Sequence, residues 1–319
     1  MTSRHSNKSL LKGINKLVFF NQVSNNSSFY STNNSWSFNL GSFFWNYIQQ
    51  RLNTRPNKPV NTILTSNNLN STPIKNKYAV LVGINYTGTP NELNGCINDM
   101  NNLNKYLLKE NYQKSNIKLL SDDSKNLPTK KNILDSFKLM LKKAKSGDQC
   151  VFTYSGHGFQ TYNTDGSEID GRDECLLSSE LEKISDDELK SLINTYLKKG
   201  VKLFCLMDCC HSGTILDLRY NYKYTILNKQ FYENKKETIP QGEVVMISGC
   251  MDKQYSMDAY IKNKYQGAMT NSFLENVSKS INWSALVNKM RDTLIKGSFT
   301  QVPQLSSGRM IKLDSKVVI

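Results

Sequence analysis

Apolar residues along this chain fall into short unbroken runs, and the stretches between the runs carry apolar residues at helical spacing. Residues 78–85 read Tyr-Ala-Val-Leu-Val-Gly-Ile-Asn, a continuous apolar strand whose pattern breaks at Gly83. Residues 116–121, 148–155, 174–179, 201–207 and 243–248 are further runs of this kind. Apolar runs without alternation predict strands buried on both faces. Residues 93–108 and 129–144 have the spacing of amphipathic helices, the second opening after Pro128. Ser185 followed by Glu188 predicts a capping box and a helix running to about Leu197. Residues 268–278 and 283–296 are predicted helical as well. Strands alternating with helices predict an α/β fold: a mainly parallel central sheet flanked by helices. Residues 218–241 are polar and rich in Tyr and Lys, show no clear periodicity, and are expected to be a linker. No internal repeat is visible.

The first segment, residues 1–76, differs in kind. It is rich in Asn and Ser with scattered aromatics, and residues 1–77 hold nine Lys or Arg and no Asp or Glu. Such a composition buries little, which predicts a disordered prodomain or linker. Being basic, Ser-rich and acid-free, residues 1–32 also suit an organellar transit peptide, so mitochondrial targeting stands beside a cytoplasmic location. Most of the net charge of +14 belongs to this segment. No basic-aromatic motif accompanies the charge, which argues against a nucleic-acid partner. No run is long enough to span a membrane. The seven cysteines are odd in number and lie mostly in strand-like segments, the usage of a reducing compartment rather than a disulfide framework.

The candidate chemistry lies where two apolar runs end. One run closes in Tyr154-Ser155-Gly156-His157-Gly158, the other in Asp208-Cys209-Cys210-His211-Ser212-Gly213. Strand ends in Gly-flanked turns put side chains at the rim of a sheet, where ligands bind in open α/β folds. A His beside a Cys makes a thiolate nucleophile at neutral pH. His5 lies in the acid-free tail, and His211 adjoins Cys210 on one turn and would point away from it, so His157 is favoured as the partner. Cys210, at the start of the turn, is favoured as nucleophile over Cys209, which reads equally as a small apolar filler. Gly158 and the turn after Cys210 suit an oxyanion hole, where backbone N–H groups approach a carbonyl closely. Zinc on Cys205, Cys209, Cys210 and His211 is a weaker reading, because no second ligand set is present. Two acids adjoin the motifs, Asp99 and Asp208. Read alone, they are a helix cap and a solvated acid; lining one pocket, they would select Arg or Lys.

Both motifs resemble those of the metacaspases, the caspase-like cysteine peptidases. The resemblance extends in order through Tyr78-Ala79-Val80-Leu81-Val82-Gly83-Ile84-Asn85-Tyr86, Leu93-Asn94-Gly95-Cys96-Ile97-Asn98-Asp99, Ile247-Ser248-Gly249-Cys250, Gly267-Ala268-Met269-Thr270 and Pro303-Gln304-Leu305-Ser306-Ser307. The 53 residues from His157 to Cys210 also match the caspase pattern, in which the His precedes the Cys by about 50. The short stretch between the two parts resembles the type I arrangement. The Asn/Ser-rich tail differs from the Pro-rich prodomain often seen, and Lys253, Tyr255 and Met257 depart from the usual pattern after Cys250.

The resemblance implies a caspase-like (caspase-hemoglobinase) fold over residues 77–319, with a large-subunit-like part at 77–217, a linker at 218–241 and a small-subunit-like part at 242–319. It implies His157 and Cys210 as the catalytic pair, and a specificity pocket of Cys96, Asp99, Ser155 and Asp208. Among the acids Asp165, Asp170, Asp173, Asp186, Asp187 and Asp217, it implies a calcium (Ca2+) site on Asp173, Asp186, Asp187 and Asp217. The expected activity is a calcium-dependent cysteine endopeptidase that cleaves protein or peptide substrates after Arg or Lys, processes itself and works as a monomer. A catalytically silent scaffold of the same fold would lack the Cys or the His, and an Asp-specific peptidase would need basic pocket residues.

Overall fold

The computed structural model of the chain describes residues 75–163, 172–209, 215–225, 228–249, 258–261, 264–278 and 280–319. Residues 1–74 of the segment expected to be disordered, Asp165 and Asp170 of the acidic set, and Cys210, His211, Cys250, Lys253, Tyr255 and Met257 lie outside these residues.

The chain enters through β1 (Lys77–Gly83), α1 (Cys96–Lys109), β2 (Ile117–Ser121), α2 (Lys130–Lys143) and β3 (Gln149–Ser155). A small antiparallel sheet follows, made of β4 (Gly158–Tyr162), β5 (Arg172–Leu177) and β6 (Lys183–Ser185). Next come α3 (Asp186–Tyr196), β7 (Lys202–Asp208), the hairpin β8 (Tyr220–Thr225) and β9 (Asn228–Glu233), and β10 (Glu243–Ser248). The hairpin β11 (Asp258–Ile261) and β12 (Lys264–Gly267), α4 (Ala268–Asn276), α5 (Trp283–Lys296) and β13 (Gln304–Ser307) complete the described part.

The main sheet runs β2-β1-β3-β7-β10-β13-β8-β9. Its first five strands are parallel, and β13, β8 and β9 join antiparallel. Successive side chains of a strand point to opposite faces, and the apolar runs divide accordingly. Val80 and Val82 of β1, Phe152 of β3 and Leu203 and Cys205 of β7 pack with Ile133 and Phe137 of α2 and Leu189 and Ile193 of α3. Ala79, Leu81, Val151, Phe204 and Leu206 face the other way, onto Leu103 of α1, Phe273 of α4 and Trp283 and Leu286 of α5. Phe137 stacks on Phe152 at 4.4 Å between ring centres, and Phe204 on Phe273 at 5.7 Å. Such pairs contribute about 0.5–1.5 kcal/mol beyond the area they bury.

Local signals agree with this packing. Thr129 caps α2 by accepting from Asn132 N–H, and the Ser185–Glu188 capping box opens α3. The exception is residues 218–241, expected to be an irregular linker, where β8 and β9 extend the main sheet through β13. Tyr220 and Tyr222 alternate with Asn221, and both tyrosines are buried against the sheet's second core. Tyrosine's polar tip hides this strand periodicity from a hydropathy pattern.

Candidate active site

Strand order reverses between β1 and β3: the chain leaves β1 for β2 on one side and returns to β3 on the other. The carboxyl ends of strands at such a switch point form the ligand crevice of an open α/β sheet. Gly83, Ser155 and Asp208 lie side by side there, at the ends of β1, β3 and β7. His157 follows Ser155 by two residues, as Cys210 follows Asp208. Gly156 N–H reaches Asp208 O at 3.4 Å across the gap between the two exits.

His157 is half-buried and held from three directions. Its ring lies 4.8 Å from that of Tyr86, its backbone N–H donates to Tyr86 Oη at 3.0 Å, and its Nε2 is 2.8 Å from Asn91 O. A carbonyl oxygen only accepts, so Nε2 carries the proton and Nδ1 keeps its lone pair. Burial pushes the imidazole below its ordinary pKa, opposed by the bond to Asn91. A neutral base at neutral pH results. Tyr86 Oη also reaches Tyr154 Oη at 3.0 Å and Leu177 O at 2.7 Å, and Tyr154 Oη lies 2.8 Å from His157 O. A Cβ on Gly156 would stand 2.7 Å from Tyr154 Oη, so this tyrosine pair demands glycine before the histidine. Gly158, the next residue, begins β4.

The pocket candidates converge. Asp99 and Asp208 are buried, with Cys96 and Ser155 buried beside them. Ser155 Oγ donates to Asp99 Oδ2 at 2.8 Å, and Gly267 N–H donates to the same carboxylate at 2.9 Å. Thr270 donates to Asp208 Oδ2 through both N–H, at 2.9 Å, and Oγ1, at 2.8 Å. A methyl group at Gly267 would collide with Oδ2 of both acids, which puts the two oxygens within about 5 Å of each other. Cys209 is fully enclosed in the core that also holds Tyr86 and Tyr154.

A second acidic group lies apart. Carboxylate oxygens of Asp186, Asp187 and Asp217 all lie within 4.8 Å of one another. Burial raises the Asp186 carboxyl to about 6 against two backbone N–H donors, from Glu174 and Asp187. Burial likewise raises Asp217 to about 7, opposed by Lys190 and reinforced by Asp186 and Glu237. Two oxygens on one calcium ion, each at 2.3–2.6 Å, are at most about 5 Å apart, so these three acids fit a hard divalent cation. Asp173, the fourth candidate, is not in this convergence; its Oδ1 accepts from Asn163 Nδ2. Lys190 sits between Asp217, at 3.4 Å, and Glu237.

Sequence reasoning gave no role to Tyr86, Asn91, Thr270 or Lys190. Asn91 acts through a backbone carbonyl, which no residue type announces. Thr270 lay inside a recognised motif, but its target Asp208 is 62 positions away.

A mostly parallel sheet with a histidine and paired acids at its switch point defines a caspase-like fold. A protein from Geobacter sulfurreducens shares it with a TM-score of 0.56 at 22% identity, over 76% of this chain and 97% of that one. Caspase-1 from Spodoptera frugiperda shares it with a TM-score of 0.50 at 11% identity, over 78% and 94%. Residues 77–219 match the metacaspase peptidase C14 domain. Metacaspase-1 of Scheffersomyces stipitis is 35% identical over 283 residues, 72% of this chain and 70% of that protein. Metacaspase-1 of Yarrowia lipolytica is 34% identical over 295 residues, 76% of this chain but only 64% of the relative's own length. This chain belongs to the metacaspase family of cysteine-type peptidases.

Proposed function

We propose that this chain is a calcium-dependent cysteine endopeptidase that cleaves after Arg or Lys and processes itself. The observation that carries the reading is the buried carboxylate pair, Asp99 and Asp208, beside the strand ends leading to His157 and Cys210. A guanidinium or ammonium entering between the two acids would be held by charge and hydrogen bonds, whereas an acidic side chain would meet repulsion and desolvation together. Family membership and the equal offset of His157 and Cys210 from paired strand ends support the catalytic pair. Complete burial of Cys209 supports its neighbour as the nucleophile.

In the reaction, the Cys210 thiol gives its proton to His157 Nδ1 and its sulfur attacks the carbonyl carbon after the basic residue. The carbonyl oxygen gains negative charge, which a hydrogen bond from the Gly158 N–H would stabilise. The adduct collapses as His157 returns the proton to the leaving amine, and the acyl group stays on sulfur as a thioester. Water, its proton taken by His157, then attacks the thioester; the acid leaves and the thiol is restored. Asp186, Asp187 and Asp217 would hold calcium, whose charge would offset three mutually repelling acids and brace α3 against the chain after β7.

Burial and pairing of the basic residues favour one stretch for the proposed self-cleavage. Arg219 is half-buried and pairs with Glu233 at 2.9 Å, a poor substrate. Lys235 and Lys236 lie exposed in the turn after β9, the kind of segment that proteases nick.

Fluorogenic peptides carrying Arg, Lys or Asp before the scissile bond test the reading, with the full chain in calcium or chelator. The expected result is turnover of Arg and Lys peptides orders of magnitude above Asp, dependent on calcium. It should vanish in Cys210→Ala and His157→Ala and survive in Cys209→Ala. Equal turnover of Arg and Asp peptides, or full activity in Cys210→Ala, refutes it.

A further inference from the structure

Two carboxylates held within about 5 Å of each other in a buried site repel, and without compensation they share a proton or splay apart. Here α4 supplies the compensation. Its N-cap Gly267 gives its N–H to Asp99, and Thr270, in its first turn, gives both N–H and Oγ1 to Asp208. The two acids arrive on different elements, Asp99 on α1 and Asp208 at the end of β7. One helix end therefore fixes the spacing between them. Backbone N–H groups at a helix N-terminus favour negative charge. Thr270 adds a side-chain hydrogen bond to Asp208 from a residue that is itself 1% exposed.

We propose that Thr270 is a positioning residue for substrate specificity: its hydroxyl locks Asp208 in the orientation that, beside Asp99, clamps a guanidinium. The proposal rests on the reading of Asp99 and Asp208 as a pocket for basic side chains. Thr270 does not touch the scissile bond; it acts through Asp208. Because its backbone N–H persists in any variant, loss of the hydroxyl removes one of the two bonds that Thr270 gives Asp208 Oδ2 and loosens the hold on that oxygen. The clamp would weaken selectively for substrates that need it, those with a charged planar fork.

The test compares wild type, Thr270→Val and Thr270→Ser as full chains in calcium, with paired peptides carrying arginine or its uncharged isostere citrulline before the scissile bond. The readout is the ratio of kcat/KM for arginine to that for citrulline. Thr270→Val should lower this ratio roughly tenfold or more, mainly through a higher KM for the arginine peptide, as loss of one hydrogen bond to a charged group implies. Thr270→Ser, which keeps the hydroxyl, should restore most of the ratio. A ratio unchanged in Thr270→Val, or lowered equally by Thr270→Ser, overturns the proposal while the pocket reading stands. A wild type with no preference for arginine over citrulline overturns the pocket reading and the proposal with it.

Discussion

Removing the Tyr86 hydroxyl (Tyr86→Phe) tests how His157 is held. Tyr86 is 2% exposed, and its Oη accepts the His157 N–H at 3.0 Å while donating to Leu177 O at 2.7 Å. After the change the single Tyr154 hydroxyl proton is shared between Leu177 O and His157 O, each at 2.8 Å, and the His157 N–H loses its acceptor outright. An unsatisfied buried donor costs about 1–3 kcal/mol. A domain of this size loses about 2–4 °C of Tm per kcal/mol, so calorimetry in a Cys210→Ala background should show a fall of about 2–12 °C. The phenylalanine ring keeps the contact with the imidazole, 4.8 Å between centres, so the protein stays folded. Peptide turnover in the Cys210 form should drop because the segment carrying His157 is no longer anchored. Tyr86→Leu, which also deletes the ring contact, should fall further, by about 0.5 kcal/mol or more. A Tm for Tyr86→Phe within 1 °C of the reference, with unchanged kcat/KM, refutes this account of the histidine.

Burial lowers the His157 pKa, so the acid limb of kcat/KM should have its midpoint below the ordinary histidine value of about 6.5; a midpoint at or above 7 contradicts a neutral base. The same sign governs stability: the contribution of His157 is complete above the unfolded pKa and is lost as pH falls through the lower folded value. Asp186 and Asp217, raised to about 6 and about 7, hold protons that compete with a cation, so calcium binding measured by calorimetry should weaken as pH falls from 7.5 to 5.5; a pH-independent affinity contradicts the site. Lys190→Met should tighten calcium binding about tenfold, the effect of removing a unit charge about 6 Å from a divalent ion even at water-like dielectric, and weaker binding would show that Lys190 supports the site. Calcium should split the wild-type chain after Lys235 or Lys236, and fragment masses showing Arg219 as the main site would contradict the ion pair with Glu233.

Much of this protein is legible in its sequence alone. The continuous apolar runs named the strands and their burial on both faces, because a parallel sheet covered by helices leaves no polar face to alternate. Ser185 with Glu188 marked the start of α3 because capping is a local event, complete within four residues. The ends of two apolar runs singled out His157, between Gly156 and Gly158, and Cys210, in the turn before Gly213, while family resemblance supplied the pocket role of Asp99 and Asp208. The rest depended on contacts between distant residues. The β8–β9 hairpin was hidden because tyrosines, buried on one side and polar at the tip, blur the two-residue period. Resemblance grouped Asp173 with Asp186, Asp187 and Asp217, and the mutual approach of the last three to within 4.8 Å is a contact between distant elements that no spacing along the chain announces. The tautomer of His157 is set by the backbone carbonyl of Asn91, and the orientation of Asp208 by Thr270. Side-chain identity is written along the chain, but hydrogen-bond partners across a sheet are chosen by register and by where a helix happens to end, and only the folded structure specifies those.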